Sequence, residues 1–226
     1  MIRERWSIRP AFIAFYPLSP TLLFADYRKY LKGPDKTAAA QCAKRLNKGF
    51  FGTTLICLVV LLLLEHFLRG KGTTVWKVVT GATAYYAFSR RNEIFIAFIL
   101  DATSHLRAVE HTTDLKYYER IQLAMRSYLE LILDYAIVVL GVFNNIGGFS
   151  MCCECSFNVL SAIYFSGVTI ATIGYGDIHP IYWFPQLLAI YEVLNGIALI
   201  VVSFTVYVSR SVDAKEFQNR SGSGPT

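Results

Sequence analysis

The architecture of this chain follows from six residues near its C-terminus, Thr172-Ile173-Gly174-Tyr175-Gly176-Asp177, which lie between two long apolar runs. The two glycines readily adopt positive φ, so the loop can turn consecutive carbonyl oxygens to the same side. Gly and Asp also dominate ordinary turns, and the hexapeptide taken alone favours a turn. The flanking sequence therefore has to decide between these interpretations.

The apolar run that precedes the hexapeptide, residues 158–171, is too short to cross a bilayer, whereas the runs on either side are long enough. A short helix that enters the membrane and returns is tolerated only where its irregular part is buried in protein or lines water. The context thus favours a re-entrant helix and loop over a surface turn.

Residues 129–209 resemble the pore domain of potassium channels in its two-transmembrane form. Residues 172–177 match the filter sequence of that family, Thr-Val/Ile-Gly-Tyr-Gly-Asp, in full, and Pro180 matches a proline often found just beyond it. Ala171 departs from the family pattern, because many members carry a second Thr there. The resemblance covers a little over a third of the chain and implies a potassium-selective ion channel.

The resemblance implies that K⁺ is bound by rings of oxygens from Thr172, Ile173, Gly174 and Tyr175, because such oxygens replace the water shell of the ion. One loop provides one oxygen per level, so a ring around an ion needs several copies of the chain. We therefore expect a homotetramer. K⁺ is the transported ion in this interpretation, and no cofactor is expected.

Further roles follow from the resemblance. Filter support is expected from Tyr164, Phe165, Val168 and Glu192, and a gating hinge at Gly196. Glu192 would attract cations if it lay near the pore axis, or brace the filter if it turned behind the pore helix; the resemblance favours bracing. Gly196 would also permit close helix packing. The spacing along one helix face suggests these cavity or gate liners: Ile197, Ile200 and Phe204.

Composition places the chain in a membrane. Hydrophobic residues make up 54% of the sequence, which argues against a soluble enzyme. The net charge of +6 comes from short basic clusters beside apolar runs, a pattern that records orientation and contact with anionic lipid rather than nucleic-acid binding. We expect a multi-pass protein of the cell membrane with both termini in the cytoplasm.

The predicted fold is all-α, with four transmembrane helices per subunit, a re-entrant pore helix and a filter loop in a tetrameric channel. The expected segments are a cytoplasmic or interfacial segment (1–48), two helices (50–68 and 73–89), a cytoplasmic linker helix (101–128), an outer helix (129–146), a pore helix (157–170), the filter (172–177), an inner helix (184–208) and a short cytoplasmic tail (210–226).

The charged pair Arg90 and Arg91 leaves two interpretations of residues 73–100. A span that ends near Ser89 places the pair at the cytoplasmic side and is preferred. One longer helix that runs to Leu100 would bury both arginines, which costs several kcal/mol unless they are paired. Adjacent arginines do not form the stripe of a voltage sensor, and no C-terminal ligand-binding domain is recognised, so the gating partner is left open as an unidentified ligand or subunit.

Three cysteines crowd the predicted external loop: Cys152, Cys153 and Cys155. An external loop permits a disulfide, and an odd number leaves one thiol for another subunit or unpaired. A surface metal site is the other structural interpretation. Two alternative functions remain: a thiol-redox membrane protein, which lacks the Cys-x-x-Cys spacing, and a non-conducting accessory channel subunit, which the intact filter disfavours.

Overall fold

The computed structural model describes residues 19–31, 36–68, 74–106, 117–152 and 157–200. These residues form helices and one short two-stranded sheet. In chain order the elements are α1 (Pro20–Tyr30), α2 (Lys36–Leu68), α3 (Thr74–Leu106), α4 (Tyr117–Asn145), β1 (Phe149–Met151), α5 (Val159–Ile170), β2 (Ile178–Pro180) and α6 (Trp183–Ile197).

Three of the described helices are long and apolar enough to cross a membrane: Thr37–Phe67, Tyr118–Asn145 and Trp183–Ile200. They lie in α2, in α4 and in α6 with the residues that follow it. Helix α3 is equally long, at 33 residues, but carries Arg90, Arg91 and Glu93 near its centre. Helix α5, with 12 residues, is too short to span.

Helix α3 differs from the preferred sequence interpretation, because it continues past Ser89 and through both arginines to Leu106. The predicted end near Ser89 is therefore corrected. The physical reason is pairing across helices. Arg90 donates from Nε to Glu130 Oε1 at 2.7 Å and forms an ion pair with Glu93 at 2.9 Å. Because Arg90 is paired in this way, it can be buried, and the helix does not have to end before it.

Other helix bounds also differ from the sequence-based ones. The first long helix begins at Lys36 rather than residue 50, and the outer helix begins at Tyr117 rather than residue 129. Part of the expected linker is thus continuous with the outer helix. The inner helix begins at Trp183. The N-terminal 18 residues and the tail after residue 200 lie outside the described residues.

Helix α1 packs on α3 through polar contacts. Ser19 Oγ donates to the Ser89 carbonyl oxygen at 2.8 Å, and the Thr21 amide donates to Ser89 Oγ at 3.1 Å. Ser19 and Ser89 are both buried. This part of the segment expected at the interface is therefore held against the helix bundle.

The centre of the fold is α4, which packs against α2, α3 and α5. Its buried residues between 136 and 142 join the apolar core with Leu61 of α2, Ala87 of α3 and Val159 of α5. Gly141 allows the closest approach, because a Cβ there would overlap the Cβ of Ala84 on α3. The outer helix is thus enclosed on several sides by protein.

The two strands form a two-stranded antiparallel sheet, with α5 and the loop after it between them in the sequence. Phe149 pairs with Pro180, Ser150 with His179 and Met151 with Ile178. The sheet joins the segment before α5 to the segment after the loop. It therefore closes the re-entrant region into a compact unit.

Candidate functional site

Helix α5 is fixed at its N-terminus by two side-chain acceptors. Asn158 Oδ1 accepts from the Ser161 amide at 2.8 Å, as an N-cap residue does. Glu65, at the end of α2, accepts from the Val159 amide at 3.1 Å. A carboxylate at this end also complements the helix dipole. The C-terminus of α5, the negative end of that dipole, leads directly into residues 172–177.

Positive φ recurs at every second residue of the loop: 59° at Thr172, 55° at Gly174 and 78° at Gly176. In a regular strand φ stays negative and the carbonyls alternate between two sides. Alternating handedness can instead turn successive carbonyls to one side. Thr172 is β-branched, so its positive φ is a genuine outlier that its surroundings must hold in place.

Backbone hydrogen bonds hold the loop at both ends. The Val168 carbonyl oxygen of α5 accepts from the amides of Ile173 at 2.9 Å and Gly174 at 3.3 Å. At the outer end, the Cys152 amide donates to the Asp177 carbonyl oxygen at 2.9 Å. Val168 therefore supports the loop through its backbone.

The aromatic pair expected around the loop divides between two environments. Phe165 is buried, and its ring meets that of Phe149 edge to face with centroids 5.5 Å apart. Tyr164 is 39% exposed, and its phenol lies near Asp177. Phe165 thus joins the core, while Tyr164 contacts the outer end of the loop.

The side chains of Ile173 and Tyr175 are exposed in the single chain, by 55% and 67%. On α6, the apolar side chains of Trp183, Leu187 and Ile190 are also exposed and share one face of the helix. Exposed apolar surface of this kind marks a contact with protein or with lipid.

The inner helix touches the re-entrant helix α5 at two levels. Glu192 is fully buried, and its Oε1 lies 2.5 Å from Ser166 Oγ. One turn further, a Cβ at Gly196 would lie 2.6 Å from Ile170 Cγ1. The structure therefore places Glu192 against Ser166 of the re-entrant helix, and Gly196 at a close approach to its last residue.

The suggested cavity liners lie on the exposed side of the inner helix. Ile197 is 46% and Ile200 is 44% exposed, and residues 198–200 adopt a π-helical conformation just after Gly196. Such π-helical turns occur frequently at functional sites. Phe204 lies outside the described residues.

The described cysteines, Cys42, Cys57 and Cys152, are free thiols, and of these Cys152 is exposed. Cys153 and Cys155 lie outside the described residues. The predicted disulfide in this loop therefore stays a prediction.

Sequence reasoning missed two contacts. Glu65 lies at the end of an apolar run, and it caps a helix that begins 94 residues later. Tyr191 of the inner helix had no assigned role, yet its hydroxyl donates to Asn92 Oδ1 of α3 at 2.7 Å. An acidic residue at the end of an apolar run and a tyrosine within one are the available signals, and neither identifies its partner.

The family model described as "Ion channel" matches residues 133–212. The match spans the C-terminal part of α4 from residue 133, both strands, α5, the loop and α6. The chain therefore contains an ion channel domain, which favours a channel over an enzyme and, together with the apolar helices, indicates a location in a membrane. No curated protein and no solved structure matches the chain.

Proposed function

We propose that the protein is a potassium-selective channel in which residues 172–177 form the selectivity filter. The observation that carries this proposal is the positive φ at every second residue of the loop. Thr172 is held in a strained conformation at the C-terminus of a short apolar helix. A strained loop of this kind, inside an ion channel domain, supports a role in the passage of the ion.

Conduction would use oxygens of the loop in place of the water shell of K⁺. Rings formed by Thr172, Ile173, Gly174 and Tyr175 would bind successive ions, which move by repulsion between adjacent sites. The negative end of the α5 dipole favours a cation near Thr172. K⁺ is the cargo, and the proposal includes no cofactor.

We infer a homotetramer, because one chain supplies one oxygen at each level. The exposed Ile173 and Tyr175 side chains support this inference, since neighbouring copies would cover them. The apolar face of α6 would then lie partly against other subunits and partly along the pore. Assembly of four chains would thus bury apolar surface that is exposed in a single chain.

We infer four spans in each subunit: the three candidate spans in α2, α4 and α6, and α3 in addition. We also infer that both termini lie in the cytoplasm and that the protein lies in the cell membrane. The internal pairing of Arg90 with Glu130 supports a place for α3 inside the bilayer, because it removes most of the cost of burying that charge. Membrane lipid would contact the exposed apolar side chains of α2, such as Ile56 and Leu63.

The test is K⁺ flux through the purified protein in liposomes, with Na⁺ substitution and barium block. Selective, blockable flux is expected from the natural sequence. Gly174→Ala should abolish it, because a Cβ is strained at φ 55°. Gly167→Ala is the matched control, since Gly167 lies in α5, has no positive φ and has open space for a Cβ.

Both variants should insert into the membrane and assemble as the natural chain does, which size-exclusion chromatography would check. Unchanged K⁺ flux in Gly174→Ala would refute the filter assignment. Equal passage of Na⁺ and K⁺ through the natural channel would refute the potassium selectivity and leave only an ion channel.

A further inference from the structure

Arg91 is fully buried, yet its Nε, Nη1 and Nη2 form no hydrogen bond with any described residue. Instead the guanidinium lies over three aromatic rings, at 4.3 Å from the centroid of Phe88, 4.3 Å from Tyr135 and 4.9 Å from Tyr191. These rings belong to α3, to the outer helix and to the inner helix. We call Arg91 with the three rings the Arg91 cage.

The Arg91 cage differs in kind from the neighbouring Arg90 site. Arg90 is paired with the carboxylates of Glu93 and Glu130 and lies over the Phe50 ring, so it joins α3 to the outer helix and to α2. Arg91 reaches the inner helix, because Tyr191 supplies one wall of the cage. Attraction between a cation and aromatic rings is strongest where water is excluded, which is the case here.

Hydrogen bonds tie the cage to one turn of the inner helix. The Tyr191 hydroxyl donates to Asn92 Oδ1 at 2.7 Å, so α3 holds this ring at its rim as well as at its face. Asn195 Nδ2 donates to the Tyr135 hydroxyl at 3.0 Å and to the Tyr191 carbonyl oxygen at 2.6 Å. The held turn, residues 191–195, directly precedes Gly196 and the π-helical residues 198–200.

The position of this turn matters for the pore. Glu192, within it, contacts Ser166 of α5, so a shift of the turn would reach the helix that leads into the loop. Beyond Gly196, Leu199 is buried in the same apolar cluster as Tyr135 of the cage and Ile94 and Phe98 of α3. A bend of the inner helix at or after Gly196 would start from a turn that α3 keeps in place.

We propose that Arg91 is a positioning residue that fixes the inner helix to α3 through its aromatic cage and thereby sets the balance between closed and conducting pores. The inference rests on the proposed function for its second half, because only a channel has such a balance. Its first half, the holding of the inner helix, is independent of conduction.

The first experiment measures single-channel open probability of the full chain in bilayers. Arg91→Met removes the cation and keeps an unbranched apolar stem, whereas Arg91→Lys keeps a cation on a stem of four methylene groups. Arg91→Met should change the open-to-closed ratio at least five-fold with an unchanged K⁺/Na⁺ permeability ratio. Arg91→Lys should restore most of the natural ratio.

Thermal unfolding separates positioning from general damage. Burying an unpaired charge is costly, so Arg91→Met should unfold at the natural temperature or above it, even though gating changes. A change in open-to-closed ratio smaller than five-fold in the intact tetramer would overturn the proposal. A loss of thermal stability together with a loss of selectivity would overturn it as well.

The second experiment is hydrogen exchange of the backbone amides in residues 190–200, which needs no conduction. Arg91→Met should speed exchange there about ten-fold relative to residues 136–142 of the outer helix. Tyr191→Phe keeps the ring but loses the bond to Asn92, and about a five-fold increase is expected. Tyr118→Phe, which removes an exposed hydroxyl from α4, is the matched control.

The two experiments distinguish failure of the inference from failure of the proposed function. A natural chain that conducts no K⁺ would refute the proposed function, while the exchange rates would still decide whether Arg91 holds the inner helix. Unchanged exchange in both Arg91→Met and Tyr191→Phe would overturn the inference even in a selective channel.

Discussion

Gly141→Ala tests the closest approach between two helices of the fold. A Cβ at Gly141 on α4 would overlap the Cβ of Ala84 and lie 2.8 Å from the carbonyl oxygen of Thr80, both on α3. Carbon atoms in good contact are about 3.5–4.0 Å apart. Because a backbone atom cannot rotate aside, the two helices must separate.

The magnitude follows from two opposing terms. Gly→Ala in a helix interior stabilises by about 1 kcal/mol through helix propensity. Overpacking costs about 1–3 kcal/mol, and the backbone contact with Thr80 places this site at the upper end. We therefore expect Gly141→Ala to lower the free energy of unfolding by about 2 kcal/mol.

Gly81→Ala is the matched control on the facing helix. A Cβ at Gly81 would meet only the side-chain amide of Asn145, at an ordinary distance of 3.7 Å. The propensity gain then acts alone, and stability should rise by about 1 kcal/mol. The assay is unfolding of the purified protein by SDS titration in mild-detergent micelles, followed by circular dichroism. Equal stability of the two variants would refute the packing argument, since helix propensity is common to both.

Three further predictions concern contacts around the site. Glu130→Gln should lower the free energy of unfolding by about 3–5 kcal/mol, because it removes one partner of a buried pair. Lys44→Gln breaks a partly exposed pair and should lower it by less than about 1 kcal/mol, and equal losses in the same SDS titration would contradict this reasoning. Glu65→Ala should lower the free energy of unfolding by about 0.5–2 kcal/mol and reduce K⁺ flux in liposomes, because the Val159 amide loses its acceptor. Asn158→Ala removes the other cap and should have the same effects; unchanged flux and stability in both variants would contradict the role of these caps in holding α5. Thr172→Gly should lower the free energy of unfolding by less than about 1 kcal/mol, because glycine readily adopts φ 59°. Loss of the hydroxyl should lower K⁺ flux, and a large loss of stability with unchanged flux would contradict both expectations.

The re-entrant region was predictable because its signals are local. The two glycines of residues 172–177, the length of the apolar run before them and the two longer runs on either side are all read from neighbouring residues. The structure places a 12-residue helix and a loop with recurring positive φ at this position. Ion selectivity, by contrast, depends on the assembly of several chains, so it stays a prediction.

The course of α3 was not predictable, because its reason lies in another helix. The cost of burying Arg90 depends on Glu130, which is 40 residues away in the sequence. Without the packing of α3 on α4 no pattern shows that the two side chains meet. The charge rule then favours a helix end at Ser89, which is the expectation that the structure corrects.

Gly196 shows a different limit. A glycine in the middle of an inner helix is compatible with a hinge and with close packing, and the sequence contains no signal that separates them. The structure shows the close packing on Ile170 and also a π-helical conformation that begins two residues later. Packing at the glycine and irregular backbone just beyond it are therefore compatible, and the glycine need not itself be the point of bending.

The N-terminal helices support the ion channel domain along its whole depth. Glu65 of α2 contacts the start of α5, Thr54 donates to Asp134 of the outer helix at 2.9 Å, and Asn92 of α3 accepts from Tyr191. A buried polar group without a partner is costly away from water, so each of these three hydrogen bonds fixes the position of one helix against another. Without these helices, Asp134 and Glu130 of the outer helix would lose their partners. The N-terminal helices are thus part of the scaffold of the ion channel domain, and a displacement of α3 would reach the inner helix through Tyr191.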